Sequence, residues 1–305
     1  MEQYFWSNGK LLLTAEYAIL NGATALAIPV KYGQSLIAKP IINSDKIYWY
    51  ASENNNLWYK GTFLNYSFIE ISNSENTNHI YVSNLLKAIN KLNPQIFKSG
   101  WELNFNLTFN KNWGLGSSST LINNVAQWAH INPFKLNSLI SQGSGYDIAC
   151  AQNNSPILYK LLNNTPEFSE VTFNPEFKNC IYFIYSGQKQ ATNQSVNEYL
   201  KKNTINQNII NQISNITNQI ITCKNLTDFC GLITEHELLI AQTLHVEPLK
   251  NQLFSDFNGC IKSLGAWGGD FFMAATEKGV NYVNQYFKNL NINTVIPFDE
   301  MIINK

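Results

Sequence analysis

Apolar and polar residues alternate in short runs through the first half of the chain, and their spacing predicts strands over residues 10–13, 25–30, 35–38, 46–50 and 101–109. The last of these keeps a period of two, as a strand with one buried face requires. Two stretches change to helical spacing: residues 80–92, where Val82, Leu85, Leu86 and Ile89 fall on one face, and residues 118–128. Strands and helices are mixed without the regular strand–helix–strand order of a doubly wound sheet, which predicts an α+β fold.

A polar, proline-containing stretch at residues 166–179 separates this half from a strongly apolar strand at 180–185 that ends at Ser186-Gly187. The predicted domains are therefore residues 1–177 and 178–305. Beyond the boundary the pattern predicts helical regions over 196–223 and 226–244, then a glycine-rich strand–turn–strand passage over 259–276.

Composition narrows the class of partner. With 305 residues, 45% apolar and 14% charged, the chain can bury a large core, and its formal charge of zero offers no broad field for nucleic acid or an anionic membrane. A small-molecule partner is expected. Every basic side chain other than the four His is Lys, so a phosphate must be held by Lys, backbone N–H groups, hydroxyls or metal, without the bidentate fork of Arg. The five Cys are widely spaced and form no C-x-x-C pair, so they are expected as reduced thiols. The first residues lack the features of a signal peptide and no run reaches the ~20 apolar residues of a membrane span, so a cytoplasmic location is expected.

Two segments carry candidate chemistry by themselves. Trp113-Gly-Leu-Gly-Ser-Ser-Ser-Thr120 places two glycines and four hydroxyls before the apolar pattern Leu121, Ile122, Val125. A glycine turn opening a helix offers unpaired N–H groups and the positive end of the helix dipole, which suits a polyphosphate. The same octet also reads as a Ser-capped helix after a tight turn. Gly143-Ser-Gly-Tyr-Asp-Ile-Ala149 places Asp147, the only carboxylate between Lys111 and Glu167, after a flexible turn. Asp147 reads as a general base or metal ligand, or as a helix N-cap.

In order along the chain, these segments resemble the GHMP kinases. Gly9-Lys10-Leu-Leu-Leu-Thr-Ala-Glu16-Tyr17 with Asn21-Gly22 is similar to the family's first motif, Gly114-Leu-Gly-Ser-Ser-Ser119 to its phosphate loop, and Gly265-Ala-Trp-Gly-Gly269 to its third motif. Ser119 stands for the family's alanine and Trp267 for a glycine, residues 112–146 hold no acidic side chain, and there is no Arg. The Gly145-Tyr-Asp147-Ile-Ala149 turn, Ile157-Leu-Tyr-Lys160, and Ser186-Gly187-Gln-Lys189 resemble the mevalonate-pathway branch, and Gly268-Gly269-Asp270 its phosphomevalonate kinases.

The resemblance implies a ribosomal-S5-like N-terminal domain with a ferredoxin-like C-terminal domain, and use of ATP and Mg²⁺. It implies that Trp113, Gly114, Leu115, Gly116, Ser117, Ser118 and Ser119 hold the nucleotide phosphates, with Ser118 a magnesium ligand. Asp147 would take the acceptor's proton or hold a metal, and Lys10 would stabilise charge on the transferred oxygens. Glu16, Tyr17, Gly145, Lys189, His236, Gly265, Ala266 and Gly268 would lie on the substrate side. The expected acceptor is phosphomevalonate-like. The alternatives are mevalonate or another small alcohol, a diphosphomevalonate decarboxylase-like reaction, and a non-catalytic nucleotide or metabolite binder. No nucleic-acid or membrane partner is implied, and a homodimer is compatible with the resemblance.

Overall fold

Hairpins with matched short turns organise much of the architecture in the computed structural model, which describes residues 1–72, 78–141, 143–187, 205–265 and 271–303. The chain divides into two compact units built from separated segments: Met1–Gly9, Tyr32–Lys111 and Leu115–Gln152 form the first, and Lys10–Lys31, Asn112–Gly114 and Asn153–Lys305 the second. The expected boundary at 177/178 lies inside the second unit. The reason is strand β2 (Ala25–Ile41), a single strand that belongs to the second unit up to Lys31 and to the first from Tyr32. Its start pairs with β6 (Ile157–Leu162), Ala25 opposite Tyr159, and that pairing assigns the residues after 153 to the second unit. Strand β1 (Gln3–Leu12) also pairs with β2.

In the first unit, β4 (Asn56–Leu64), β3 (Lys46–Glu53), β5 (Gly100–Leu107) and the later part of β2 lie side by side in that order. Strands β3 and β4 are antiparallel and joined by Asn54-Asn55, whose φ angles of 49° and 66° match a type I′ turn. The sheet is mixed, since β3 runs parallel to β5 and β5 antiparallel to β2. Leu103 and Phe105 of the period-two strand are buried, with Trp49 stacked on Phe105 at 4.4 Å. Against this face pack α1 (Asn78–Leu92), through Val82, Leu85, Leu86 and Ile89, and α2 (Ser117–Trp128), through Ile122, Val125 and Ala126. Helices α3 (Pro133–Ile140) and α4 (Tyr146–Gln152) add Leu136 and Ile148.

In the second unit, β6 and β7 (Thr165–Glu170) form another two-residue hairpin, through Asn163-Asn164 at φ 50° and 60°. The remainder runs β8 (Ile181–Tyr185), α5 (Gln207–Thr222), α6 (Leu226–Leu244), α7 (Leu249–Leu253), β9 (Cys260–Ser263), β10 (Phe271–Ala275), α8 (Gly279–Asn289), β11 (Thr294–Pro297) and α9 (Phe298–Met301). The sheet order β11-β8-β10-β9, antiparallel throughout, is the fourth-first-third-second order of a ferredoxin-like β-α-β-β-α-β unit. Its core stacks Phe254 on Phe272 and Phe257 on Phe287. Residues 196–204 of the helical region expected over 196–223 lie outside the described residues. No helix among the described residues is long and apolar enough to cross a membrane.

Candidate functional site

The glycine–serine segment is an uncapped helix start. Gly114 and Gly116 both adopt positive φ, 67° and 89°, a conformation that disfavours any residue with a Cβ. Gly116 is the N-cap of α2 and contributes no side-chain hydrogen bond. The first intrahelical bond runs from the Thr120 N–H to Gly116 O, so the N–H groups of Ser117, Ser118 and Ser119 have no acceptor within the helix. Ser119 Oγ donates to Gly116 O and Thr120 Oγ1 to Ser117 O, so neither hydroxyl caps the helix. The Ser-capped reading is therefore corrected: the cap is a glycine, and the donors at the helix start face the positive end of a three-turn dipole.

Ser118 is exposed, and its hydroxyl lies 3.1 Å from the Tyr81 hydroxyl of α1, a neighbour that the sequence did not reveal. Burial raises the pKa of Tyr81, and the bond to Ser118 opposes that shift. Before the helix, the loop is fastened within the second unit. Lys10 Nζ donates to Gly114 O at 2.7 Å, and Trp113 packs on Tyr185 and Phe271 with centroids 5.9 and 5.6 Å away. Lys10 and the Trp113-Gly114 end of the expected loop thus meet within the second unit, with the ammonium at the exposed Gly114.

Asp147 sits at the second residue of α4, half-buried, and its Oδ1 accepts the N–H of Ile148 at 3.0 Å. The helix begins at Tyr146 and Ala149 N–H bonds back to Gly145 O, so Gly145, at φ 83°, holds the turn before the helix. Asp147 is not the N-cap, which leaves its second carboxylate oxygen outside that backbone bond.

Glu16 and His236, expected on the substrate side, are instead fully enclosed in the second unit, both at 0% exposure. Glu16 Oε1 accepts a 2.5 Å bond from Lys262 Nζ, and Glu237 Oε2 lies 3.8 Å from the same ammonium. Glu237 also accepts the Oγ–H and N–H of Ser263. His236 Nε2 accepts the Ala15 N–H at 2.8 Å, which fixes the ring as neutral with its proton on Nδ1. Burial is the leading cause that raises the Glu16 pKa to about 7, against the opposing charge of Lys262. Burial likewise lifts Glu237, while burial and then Lys262 press His236 well below the usual imidazole value. Glu16 Oε2 and His236 Nδ1 are buried and have no hydrogen-bond partner.

This cluster corrects the expectation for Glu16 and His236, whose polar atoms turn inward because an ammonium and a backbone amide receive them there. No motif in the sequence singles out Lys262 or Glu237. A signal was available for Glu237: Phe229, Ile233, Glu237, Ile240 and Leu244 follow helical spacing along one buried face of α6. Tyr17, at φ 61°, is half-buried with its hydroxyl unpartnered, and burial followed by the Glu16 charge pushes its pKa up to about 12. Gly265 follows β9 at φ 68°, while Ala266, Gly268 and Lys189 lie outside the described residues.

Among the described residues no group of three or more His, Cys, Asp or Glu is arranged to hold a metal ion. The oxygen donors at the start of α2 fit Mg²⁺ in another way. Mg²⁺ is a hard cation that keeps several waters and binds beside substrate phosphates, and the Ser118 hydroxyl is exposed to supply one further oxygen.

No protein-family model and no curated protein sequence matches the chain. Solved structures do. Mevalonate kinase from Methanococcus jannaschii has a TM-score of 0.70 at 18% identity, covering 100% of this chain and 99% of that one. Phosphomevalonate kinase from Streptococcus pneumoniae, in complex with phosphomevalonate and AMPPNP, has a TM-score of 0.68 at 16% identity, covering 97% and 99%. Galactokinase from Lactococcus lactis, complexed with galactose, has a TM-score of 0.65 at 14% identity, covering 99% and 93%. The fold is that of the GHMP kinases, with one mixed sheet and a second antiparallel sheet.

Proposed function

We propose that the chain is a Mg·ATP-dependent small-molecule kinase that moves the γ-phosphoryl group to a hydroxyl or phosphate acceptor. The observation that carries this reading is the start of α2, where three N–H groups without intrahelical acceptors follow two positive-φ glycines. Such a start binds polyphosphate through backbone donors and needs no Arg, in keeping with a chain whose basic residues are Lys and His alone.

In this reading the amides of Ser117, Ser118 and Ser119 hold the nucleotide phosphates, and Ser118 Oγ, which lies 3.1 Å from the Tyr81 hydroxyl, would be the protein's ligand to the metal. Mg²⁺, when bound, neutralises charge on the β- and γ-phosphates. Lys10 fixes the loop through Gly114 and adds positive charge where the transferred oxygens become more negative. Asp147 accepts the proton of a hydroxyl acceptor or orients a phosphate acceptor.

For the acceptor, the motif resemblance and the complex with phosphomevalonate favour a phosphomevalonate-like metabolite, within a mevalonate-pathway role in a cytoplasmic enzyme. The test is ADP release by the purified chain with Mg·ATP and, in turn, phosphomevalonate, mevalonate, galactose and homoserine. Turnover with phosphomevalonate above the acceptor-free rate supports the full reading. Turnover with another acceptor retains the kinase and replaces its substrate, and ADP release with none of the four overturns the reading.

A further inference from the structure

Outside the proposed kinase site, the second unit holds two neighbouring thiols. Cys230 lies half-buried in the first turns of α6, and Cys260 opens β9 at 3% exposure. Each thiol bears on the ionisation of the other. Cys230 Sγ is 4.0 Å from Ala275 O, and Ala275 is the partner of Cys260 across the β9–β10 ladder.

The backbone keeps this pair in place. Seven residues after Cys230 the same helix is fastened to Ser263 by Glu237. Seven helical residues rise about 10.5 Å and the three strand residues from Cys260 to Ser263 span about 10 Å, so helix and strand lie alongside each other and are attached at both points. Gly259 has φ 151°, and a Cβ there would collide with Ala275 O, which holds the start of β9 closely against β10. Lys250 Nζ donates to Gly259 O at 2.6 Å, beside Cys260, and its charge acts on both sulfurs. Glu277 and the thiol of Cys180 are the other ionisable groups facing Cys230.

We propose that Cys230 and Cys260 form an oxidation site for small hydroperoxides, closing to a disulfide that joins α6 to β9. A partly exposed thiol near a lysine, with a second thiol on the adjoining strand, has the access, the stabilised anion and the resolving partner that such a site needs. Against the effect of burial, the neighbouring Cys260 and then Lys250 favour the Cys230 anion, while Cys230 and burial hold Cys260 protonated. Cys230 therefore reacts first. Its thiolate attacks the outer peroxide oxygen, the O–O bond breaks, and the departing oxygen takes up a proton to leave as water or alcohol. Cys260 then loses its proton and attacks the Cys230 sulfenic sulfur, the S–O bond breaks, and the hydroxyl leaves as water. The two thiols together give two electrons to the hydroperoxide.

The experiment treats the full-length chain with hydrogen peroxide, alkylates the remaining thiols under denaturing conditions, and maps the peptides by mass spectrometry. The expected product is a Cys230–Cys260 disulfide with loss of both alkylation signals, restored by a dithiol reductant. Cys260→Ser should leave a dimedone-reactive sulfenic acid on Cys230. Undiminished alkylation of both wild-type cysteines, or a disulfide joining Cys230 to Cys180, would overturn the proposal. The wild-type map decides this even if a variant fails to fold, and it does not depend on phosphoryl transfer.

Discussion

The start of α2 and the cluster around Lys262 use polar groups in opposite ways. At α2, glycines replace a side-chain cap, so backbone donors stay unengaged within the helix and a hydroxyl stays exposed. Around Lys262, two carboxyl groups, an ammonium and an imidazole are enclosed and directed at one another. An unengaged donor at an exposed helix end costs little, because water satisfies it until a ligand does. A buried charge must be met on the spot or be neutralised, a carboxylate by taking up a proton and an ammonium by losing one. The first arrangement is suited to binding and the second to fixing the chain, although both involve residues from kinase-like motifs.

The two roles separate under substitution. The largest effect is expected at Asp147→Asn, which should lower kcat by about 10²–10⁴-fold while the affinity for AMPPNP stays within a few-fold. Asn preserves an oxygen for the Ile148 N–H, so thermal stability should hold. A variant with undiminished single-turnover rate would remove Asp147 from the chemistry. On the closed side, Lys262→Met leaves Glu16 and Glu237 facing each other without a cation and should cost about 3–5 kcal/mol in denaturant unfolding. A loss below 1 kcal/mol would mean the cluster does not fix the chain.

Glu16→Gln probes the same cluster through pH. With its pKa raised to about 7 from 4.5, folded Glu16 keeps a proton that the unfolded chain releases. Its favourable contribution is therefore complete below pH 4.5, declines as pH rises toward 7, and is level above that. Wild type should lose stability relative to the Gln variant across this window, by on the order of 3 kcal/mol in total. His236, held neutral, works in the other direction below pH 6.5, but it is present in both proteins and drops out of the difference. Parallel stability curves would show that Glu16 is ionised throughout. The smallest effect is expected at Ser118→Ala: a few-fold rise in the Mg²⁺ concentration for half-maximal rate, with stability within about 0.5 kcal/mol. An unchanged requirement would show that this hydroxyl serves Tyr81 and not the metal.

Periodicity made the first unit's core legible, because α1 and β5 each present one apolar face with regular spacing. The ferredoxin-like order was available only through the motif resemblance, since which strands neighbour one another is not written in any one segment. The helix start was legible where backbone chemistry decides it, as in the positive φ of Gly114 and Gly116. The inward direction of Glu16 and His236 was not legible, since each is met by a group distant in sequence, Glu16 by the Lys262 ammonium and His236 by the Ala15 N–H. The abundant Asn carried more local information than its frequency suggested: Asn54, Asn55, Asn163 and Asn164 supply positive φ in hairpin turns, and Asn132, Asn206 and Asn225 cap helices.

The most direct test of the contrast follows backbone amide resonances of the isotopically labelled chain as Mg·AMPPNP is added. The account predicts saturable shifts at Ser117, Ser118 and Ser119, with the amides of Ala15, Glu237 and Ser263 unmoved. Shifts confined to Ala15, Glu237 and Ser263, or no saturable shift at Ser117–Ser119 at millimolar nucleotide, would contradict it.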